Sequence, residues 1–258
     1  MSEPILSELI SSGAHRVSAH HAVSVTHRIG ALSLNVSFSL SSPWTVLFGP
    51  SGSGKTTILR AIAGLVRPDE ARIVRYEHNG ESVLTNTQTF LPPHRRQVRH
   101  APQRASLFPH LSVAQNVAYG SRRSGDESAS SSVAGVMEIF GLESLAAKMP
   151  SALSGGERQR VNLARAFAAT DCRLMLLDEP FAGLDSALRD QLLPPMQAWL
   201  ADRRIPALSV THDVIEALQL KAEVIRLSDG RVTGQGEASQ ILAIERARLL
   251  QQLTSVAQ

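Results

Sequence analysis

The sequence predicts an α/β fold, with a phosphate-binding core of buried strands and helices that carries an antiparallel β-layer and a helical insertion. Three observations predict it. Gly49-Pro50-Ser51-Gly52-Ser53-Gly54-Lys55-Thr56-Thr57 satisfies the phosphate-loop pattern G-x-x-x-x-G-K-[ST], between a strand-like run at 44–48 and an amphipathic helical run at 58–63. Leu32, Leu34, Val36, Phe38 and Leu40 alternate with polar residues, the period of a half-buried antiparallel strand. Leu174-Met175-Leu176-Leu177 is continuously apolar, as in a strand buried on both faces of a parallel sheet.

Composition bounds the function. At 258 residues the chain is one large domain, or one domain with a subdomain. With 43% hydrophobic and 19% charged residues it reads as soluble and globular, and a formal charge of +3 is too small to argue for nucleic acid. Cys172 is the single cysteine, so no intrachain disulfide forms and a reducing compartment fits; before a buried strand, its expected role is structural. No apolar run reaches the roughly 18–20 residues that span a bilayer. Glu3 and Glu8, with no basic segment before an apolar stretch, argue against a signal peptide, so work at a membrane needs other chains.

In order, residues 1–21 form a polar leader, in which Ile5-Leu6 and Leu9-Ile10 give at most two helical turns. His15, His20, His21 and His27 have no pairwise spacing that suits a metal. Strands are expected at 22–26 and 31–40, then at 72–74 and 82–84 around an Asn79-Gly80 turn. The basic stretch 91–100 lacks interleaved aromatics and reads as a solvated loop rather than a nucleic-acid patch. Helical periodicity then runs from 113 to 148, broken by a serine-rich surface loop at 124–132, with a helix at 133–140. Residues 103–152 make a helical insertion, and with the next helix the helical subdomain reaches about residue 170 of a domain spanning 22–258. Ser154 suits the N-cap of that helix, and Gly155 and Gly156 leave backbone N–H groups open to an anion.

The chemistry gathers at strand ends. The loop glycines let backbone N–H groups converge on phosphate oxygens at a helix N-terminus; Lys55 reaches the terminal phosphates, and Thr56 sets its hydroxyl on Mg²⁺. The strand at 174–177 delivers Asp178 and Glu179 to its C-terminal end, where α/β folds bind ligands. A buried carboxylate there is costly unless paired or set on a metal through water, which fits Asp178 to Mg²⁺ beside Thr56. Glu179 is then placed to polarise an attacking water. After a loop at 181–185 comes a helix kinked at Pro194-Pro195, then a buried strand at 207–210 that brings His212 to the same edge. A hairpin at 224–232 and a docked terminal helix at 241–253 close the chain.

Phosphate loop, Leu153-Ser154-Gly155-Gly156-Glu157, Asp178-Glu179, Leu184-Asp185 and Thr211-His212, in that order, resemble the ATP-binding subunit of an ABC transporter over about residues 22–235. The resemblance implies the ABC ATPase fold, a P-loop NTPase core, with ATP and Mg²⁺ as ligands. By it, Ser154, Gly155, Gly156 and Glu157 are the signature that contacts ATP on the opposite subunit of a homodimer. Gln103 reaches Mg²⁺ or the attacking water, Asp178 holds the metal through water, Glu179 is the catalytic base, Asp185 belongs to the D-loop, and His212 touches the γ-phosphate. The family's adenine-stacking aromatic falls at Ile29, beside His27 and Arg28, so apolar contact or Arg28 would hold the base.

The run Leu91-Pro92-Pro93, Arg96, Gln103, Leu107-Phe108-Pro109-His110-Leu111-Ser112-Val113, Asn116, Tyr119-Gly120 resembles importer ATPases for oxyanions, polyamines and sugars. Arg28-Ile29-Gly30 and Leu34-Asn35-Val36 look most like molybdate/tungstate importers. That implies two transmembrane permease subunits, an extracytoplasmic substrate-binding protein and a peripheral place on the cytoplasmic face of the inner membrane. Many such ATPases carry a β-rich regulatory domain after the closing hairpin; this sequence ends about 25 residues later, and that regulation is expected to be missing. A soluble ABC-type ATPase acting on nucleic acid or ribosomes is the alternative, although paired modules or a long coiled-coil insertion are lacking. A P-loop kinase is a third reading, with no use for residues 153–157.

Overall fold

The computed structural model describes residues 20–78, 80–121 and 128–256. Residues 1–19 of the expected leader, with His15, lie outside the described residues, as do Asn79 of the expected turn and residues 124–127 of the serine-rich run.

Among the described residues ten strands form one sheet, in the order β5-β4-β1-β2-β10-β9-β3-β8-β7-β6. Its parallel half is β9 (Glu223–Ser228), β3 (Trp44–Phe48), β8 (Ala207–Thr211), β7 (Leu174–Asp178) and β6 (Val98–Ala101). Every residue of β3, β7 and β8 is buried, because helices cover both faces. The antiparallel half is β5 (Gly80–Thr85), β4 (Glu70–Glu77), β1 (His21–Ile29) and β2 (Leu32–Leu40). In β2, Leu34, Val36, Phe38 and Leu40 are buried, as the alternation predicts. The halves meet at β10 (Arg231–Glu237), antiparallel to β9 and paired to β2 where Arg231 faces Asn35.

Two cores result. One wraps α1 (Lys55–Ala63): Ile58, Leu59 and Ile62 pack among Val25, Leu34 and Val36 of the antiparallel half and Leu47, Leu176 and Leu208 of the parallel half. The sheet therefore curls around the helix that follows the phosphate loop. The other core lies across the sheet, under α2 (Val113–Tyr119), α3 (Ser128–Ile139), α4 (Gly155–Phe167) and α5 (Ser186–Asp202), where Phe140, Phe167 and Trp199 stack edge-on or tilted. α5 continues through Pro194 and Pro195.

Three expectations are corrected. The basic stretch 91–100 is no solvated loop. Arg96 is fully buried and Val98–Ala101 is β6, an edge strand. Arg96 donates to Leu91 O (2.7 Å), Ala61 O and Ile62 O (both 3.0 Å) and Thr85 Oγ1 (2.8 Å), so the cation is drawn inside by carbonyls that need donors. The serine-rich run is helical from Ser128, since α3 starts there. The terminal helix is two pieces, α7 (Ala238–Ile241) and α8 (Ala243–Val256), after α6 (Val214–Gln219); buried Leu242 and an Arg226–Glu245 ion pair dock the start of α8. Cys172 is buried just before β7, its Sγ 3.3 Å from Leu174 O, and burial pushes its thiol up to about 11.

Candidate active site

β3 runs straight into the phosphate loop. Gly49 lies so close to β9 that a Cβ there would sit 2.2 Å from Leu227 O. Gly54 caps α1 at φ 100°, and a Cβ would meet Leu34 Cδ1 at 2.8 Å. It offers no side-chain cap, so the first N–H groups of α1 are left for an anion. Lys55 is buried, its Nζ donating to Gly49 O and Pro50 O at 2.7 Å each. Burial lowers its pKa, opposed by the carboxylates of Glu179 and Asp178. Ser53 Oγ is buried with no hydrogen-bond partner, while Ser51 and Gly52 are exposed and Thr57 is half-buried.

β7 places Asp178 beside this loop, and Thr56 Oγ1 donates to Asp178 Oδ1 at 3.2 Å. Burial raises the Asp178 pKa, and the Thr56 bond opposes the rise. The pair presents two hard oxygens, and no cluster of three or more His, Cys, Asp or Glu suited to a metal occurs among the described residues. Such a sparse oxygen set fits Mg²⁺, which keeps waters and substrate phosphates in its shell.

One residue on, Glu179 turns the chain at φ 47°. Its Oε2 accepts from Gln103 Nε2 at 2.8 Å, and its Oε1 lies 3.3 Å from His212 Nδ1. The sequence-predicted Gln103, Glu179 and His212 thus converge on one carboxylate, and Gln103 sits on Glu179 rather than on the Thr56–Asp178 pair. β8 delivers His212, whose side chain is 63% exposed against 19% for Glu179. The turn behind it is locked: Asp213 caps α6 by accepting from Ile215 N and Glu216 N, and Arg189 of α5 donates to Asp213 Oδ2 at 3.2 Å.

The signature residues stand apart. Ser154 Oγ accepts from Glu157 N (3.2 Å) and Glu157 Oε2 accepts from Ser154 N (2.6 Å), a complete capping box at the start of α4. Those bonds, the Ser154 N–H first, hold the Glu157 carboxyl below its ordinary pKa. Ser154 and Gly155 are exposed, and among the described residues no hydrogen bond or ion pair joins 154–157 to the phosphate loop. Gly156 packs on Leu184, where a Cβ would lie 3.2 Å from Cδ2; Asp185, exposed, caps α5 by accepting from Leu188 N at 2.8 Å. At the base end, Ile29 ends β1 opposite Leu32, whose side chain also reaches the space beside Gly54; His27 Nδ1 and Arg28 N both meet Asp69 Oδ2, at 3.3 and 2.9 Å.

Two groups escaped sequence reasoning. Gln159 Nε2 donates to Pro180 O at 3.0 Å, tying α4 to the Glu179 turn. Glu216 is buried; it accepts from Thr211 Oγ1 at 3.0 Å while its Oε1 has no partner, and burial raises its pKa to about 7. The only local signal for either was a polar residue on the buried face of its helix.

The sheet is that of an ATP-binding cassette, and the chain belongs to the ABC transporter family, whose model matches residues 34–182. It is 40% identical over 222 residues to the molybdenum import ATP-binding protein ModC of Rhizobium etli, covering 86% of this chain and 61% of the relative. ModC 1 of Azotobacter vinelandii is 46% identical over 200 residues, 77% of this chain and 54% of its own. The molybdate/tungstate import ATP-binding protein WtpC of Archaeoglobus fulgidus is 37% identical over 228 residues, covering 88% of this chain and 91% of the relative. The chain therefore spans about 61% of the length of the Rhizobium relative and nearly all of the archaeal one. A dimeric ATP-binding cassette, solved in a post-hydrolysis state bound to ADP and Pi, matches with a TM-score of 0.69 at 25% identity, over 84% of this chain and 98% of that one. No helix among the described residues is long and apolar enough to cross a membrane.

Proposed function

We propose that this chain binds and hydrolyses ATP as the motor subunit of an import system for an oxyanion such as molybdate. It acts as a head-to-tail homodimer on the cytoplasmic face of the membrane, with two permease subunits and an extracytoplasmic binding protein. The observation that carries the ATPase reading is Glu179, held between Gln103 and His212 one residue from the Thr56–Asp178 pair. The names of the relatives support the import direction and the cargo.

In this reading the nucleotide phosphates lie on the N–H groups left open at the start of α1, and Lys55 Nζ exchanges the Gly49 and Pro50 carbonyls for phosphate oxygens. Thr56, and Asp178 through water, would hold Mg²⁺, which would supply neutralisation of charge on the phosphate oxygens. Glu179 takes a proton from the attacking water, the β–γ phosphoanhydride bond breaks, and ADP and Pi leave. Gln103 and His212 keep the carboxylate aimed, and His212, the more exposed, reaches the γ-phosphate. Ser154, Gly155 and Gly156 close the site on the nucleotide of a second copy, with Asp185 near the same face. Closure on two ATP molecules and release after hydrolysis supply the mechanical cycle.

The test is phosphate release by Glu179→Gln, which should fall at least about 10²-fold while ATP binding persists and ATP-held dimers accumulate. An unchanged rate removes Glu179 as the base, and phosphate passing to an acceptor other than water marks a kinase. Mixing inactive Lys55→Met with inactive Ser154→Arg chains tests the shared site: heterodimers keep one intact site, so roughly a quarter of the activity should return.

A further inference from the structure

α2, α4 and α6 start alike in sequence, with Ser or Asp at the N-cap and Gln or Glu at the third helical position. In α2 and α4 that third residue reaches back to the N–H of the cap. Gln115 Oε1 accepts from Ser112 N at 2.9 Å, and Glu157 Oε2 accepts from Ser154 N at 2.6 Å. In α6 a hydroxyl is interposed. Asp213 N donates to Thr211 Oγ1 at 3.0 Å, and Thr211 Oγ1 donates to Glu216 Oε2 at 3.0 Å. Asp213 Oδ1, accepting from Glu216 N at 3.3 Å, closes the ring. The ring now spans His212, which lies between Thr211 and Asp213.

The helix start does not require the Glu216 carboxyl. Asp213 also caps Ile215 N at 2.7 Å, and Arg189 holds its other oxygen from α5. An apolar side chain would fill the same buried space without leaving Oε1 short of a donor. The carboxyl's effect falls on Thr211, the last residue of β8, which pairs with Phe48 at the entry to the phosphate loop. Without it the buried hydroxyl loses its acceptor and is free to turn, and the Asp213 N–H loses the oxygen it was aimed at.

We propose that Glu216 is a positioning residue for ATP hydrolysis, acting through the Thr211 hydroxyl to fix the backbone from which His212 reaches Glu179. The proposal rests on the reading of His212 given above, and His212 Nδ1, 3.3 Å from Glu179 Oε1, is the contact that a loosened ring would lengthen.

Steady-state phosphate release by the whole chain tests it, with Glu216→Leu and Glu216→Gln each made in the wild-type and His212→Ala backgrounds. Glu216→Leu should lower kcat about tenfold and leave KM for ATP within about twofold. Glu216→Gln, whose amide oxygen still accepts from Thr211, should return kcat to within about threefold of the wild type. In the His212→Ala background Glu216→Leu should cost less than about twofold further. Thr211→Val breaks the same two bonds from the other side and stands in if Glu216→Leu does not fold. Without nucleotide, the imidazole proton signal of His212, identified by its loss in His212→Ala, should broaden or split in Glu216→Leu. Folded Glu216→Leu or Thr211→Val at the wild-type rate, beside a slowed His212→Ala, overturns the proposal. So does an equal cost of Glu216→Leu in both backgrounds, the mark of a purely structural role. A wild-type rate in His212→Ala itself removes the reading of His212, and the proposal with it.

Discussion

The two ends of α1 each hold a buried cation on backbone carbonyls, yet the two are committed differently. At the N-terminal end Lys55 donates to Gly49 O and Pro50 O, carbonyls of an open loop beside an uncapped helix start. At the C-terminal end Arg96 donates to Ala61 O and Ile62 O, carbonyls of the last turn, and also to Leu91 O and Thr85 Oγ1. The helix field favours an anion at the first end and a cation at the second. A cation at the first end is available to a ligand, whereas one at the second is part of the frame. Burial alone therefore does not separate a binding residue from a structural one; what its acceptors would do without it does.

Arg96→Met is the strongest way to break this contrast. It leaves several buried carbonyls without donors and should cost about 3–5 kcal/mol, read as a lower urea midpoint at unchanged slope. The nucleotide affinity of the folded fraction should stay within about threefold. Lys55→Met is the converse: phosphate release should fall at least about 10²-fold while stability moves by less than about 1 kcal/mol. If Lys55→Met unfolds the chain, or Arg96→Met removes nucleotide binding from folded protein, the two ends do not differ as argued.

Glu216 sharpens the rule for a carboxylate, because its Oε1 has no donor. Its folded pKa of about 7 lies above the ordinary value. Between about pH 4.5 and 7 the folded state thus keeps a proton that the unfolded state loses, and stability should decline as pH rises through that window. Glu216→Gln should flatten the decline, worth on the order of 3 kcal/mol at pH 8, as measured by urea midpoints across pH. Phe90→Leu is the smallest test. The Phe90 ring lies 4.8 Å from the Arg96 guanidinium carbon and 5.4 Å from that of Arg67, and its loss should cost about 0.5–1 kcal/mol beyond the change in packing.

The sequence was most legible where function and local pattern coincide. The phosphate loop, the buried-strand runs of β3 and β7 and the Ser154 N-cap are each written within ten residues, and each stands where its pattern puts it. The convergence of Gln103 and His212 on Glu179 was implied only through family resemblance, since it joins residues 76 and 33 positions apart. The stretch 91–100 failed for the same physical reason. Its charges look solvated because the carbonyls that receive Arg96 lie 34 and 35 residues earlier, and the helices that cover β6 are far off in sequence, α1 before it and α4 after it. Serines at 128–132 suit loops by propensity, yet the helix forms through them because Val136, Met137 and Phe140 have a core to enter.

Cys172, the chain's sole sulfhydryl, is shielded and stays protonated at neutral pH. Maleimide chemistry aimed at cysteines introduced at the exposed Ser51 and Ser154 therefore needs no thiol-free background, and a crosslink between those two positions would report directly on how copies meet. The slow labelling of Cys172 itself then becomes a clock for breathing of the sheet at the entrance to β7.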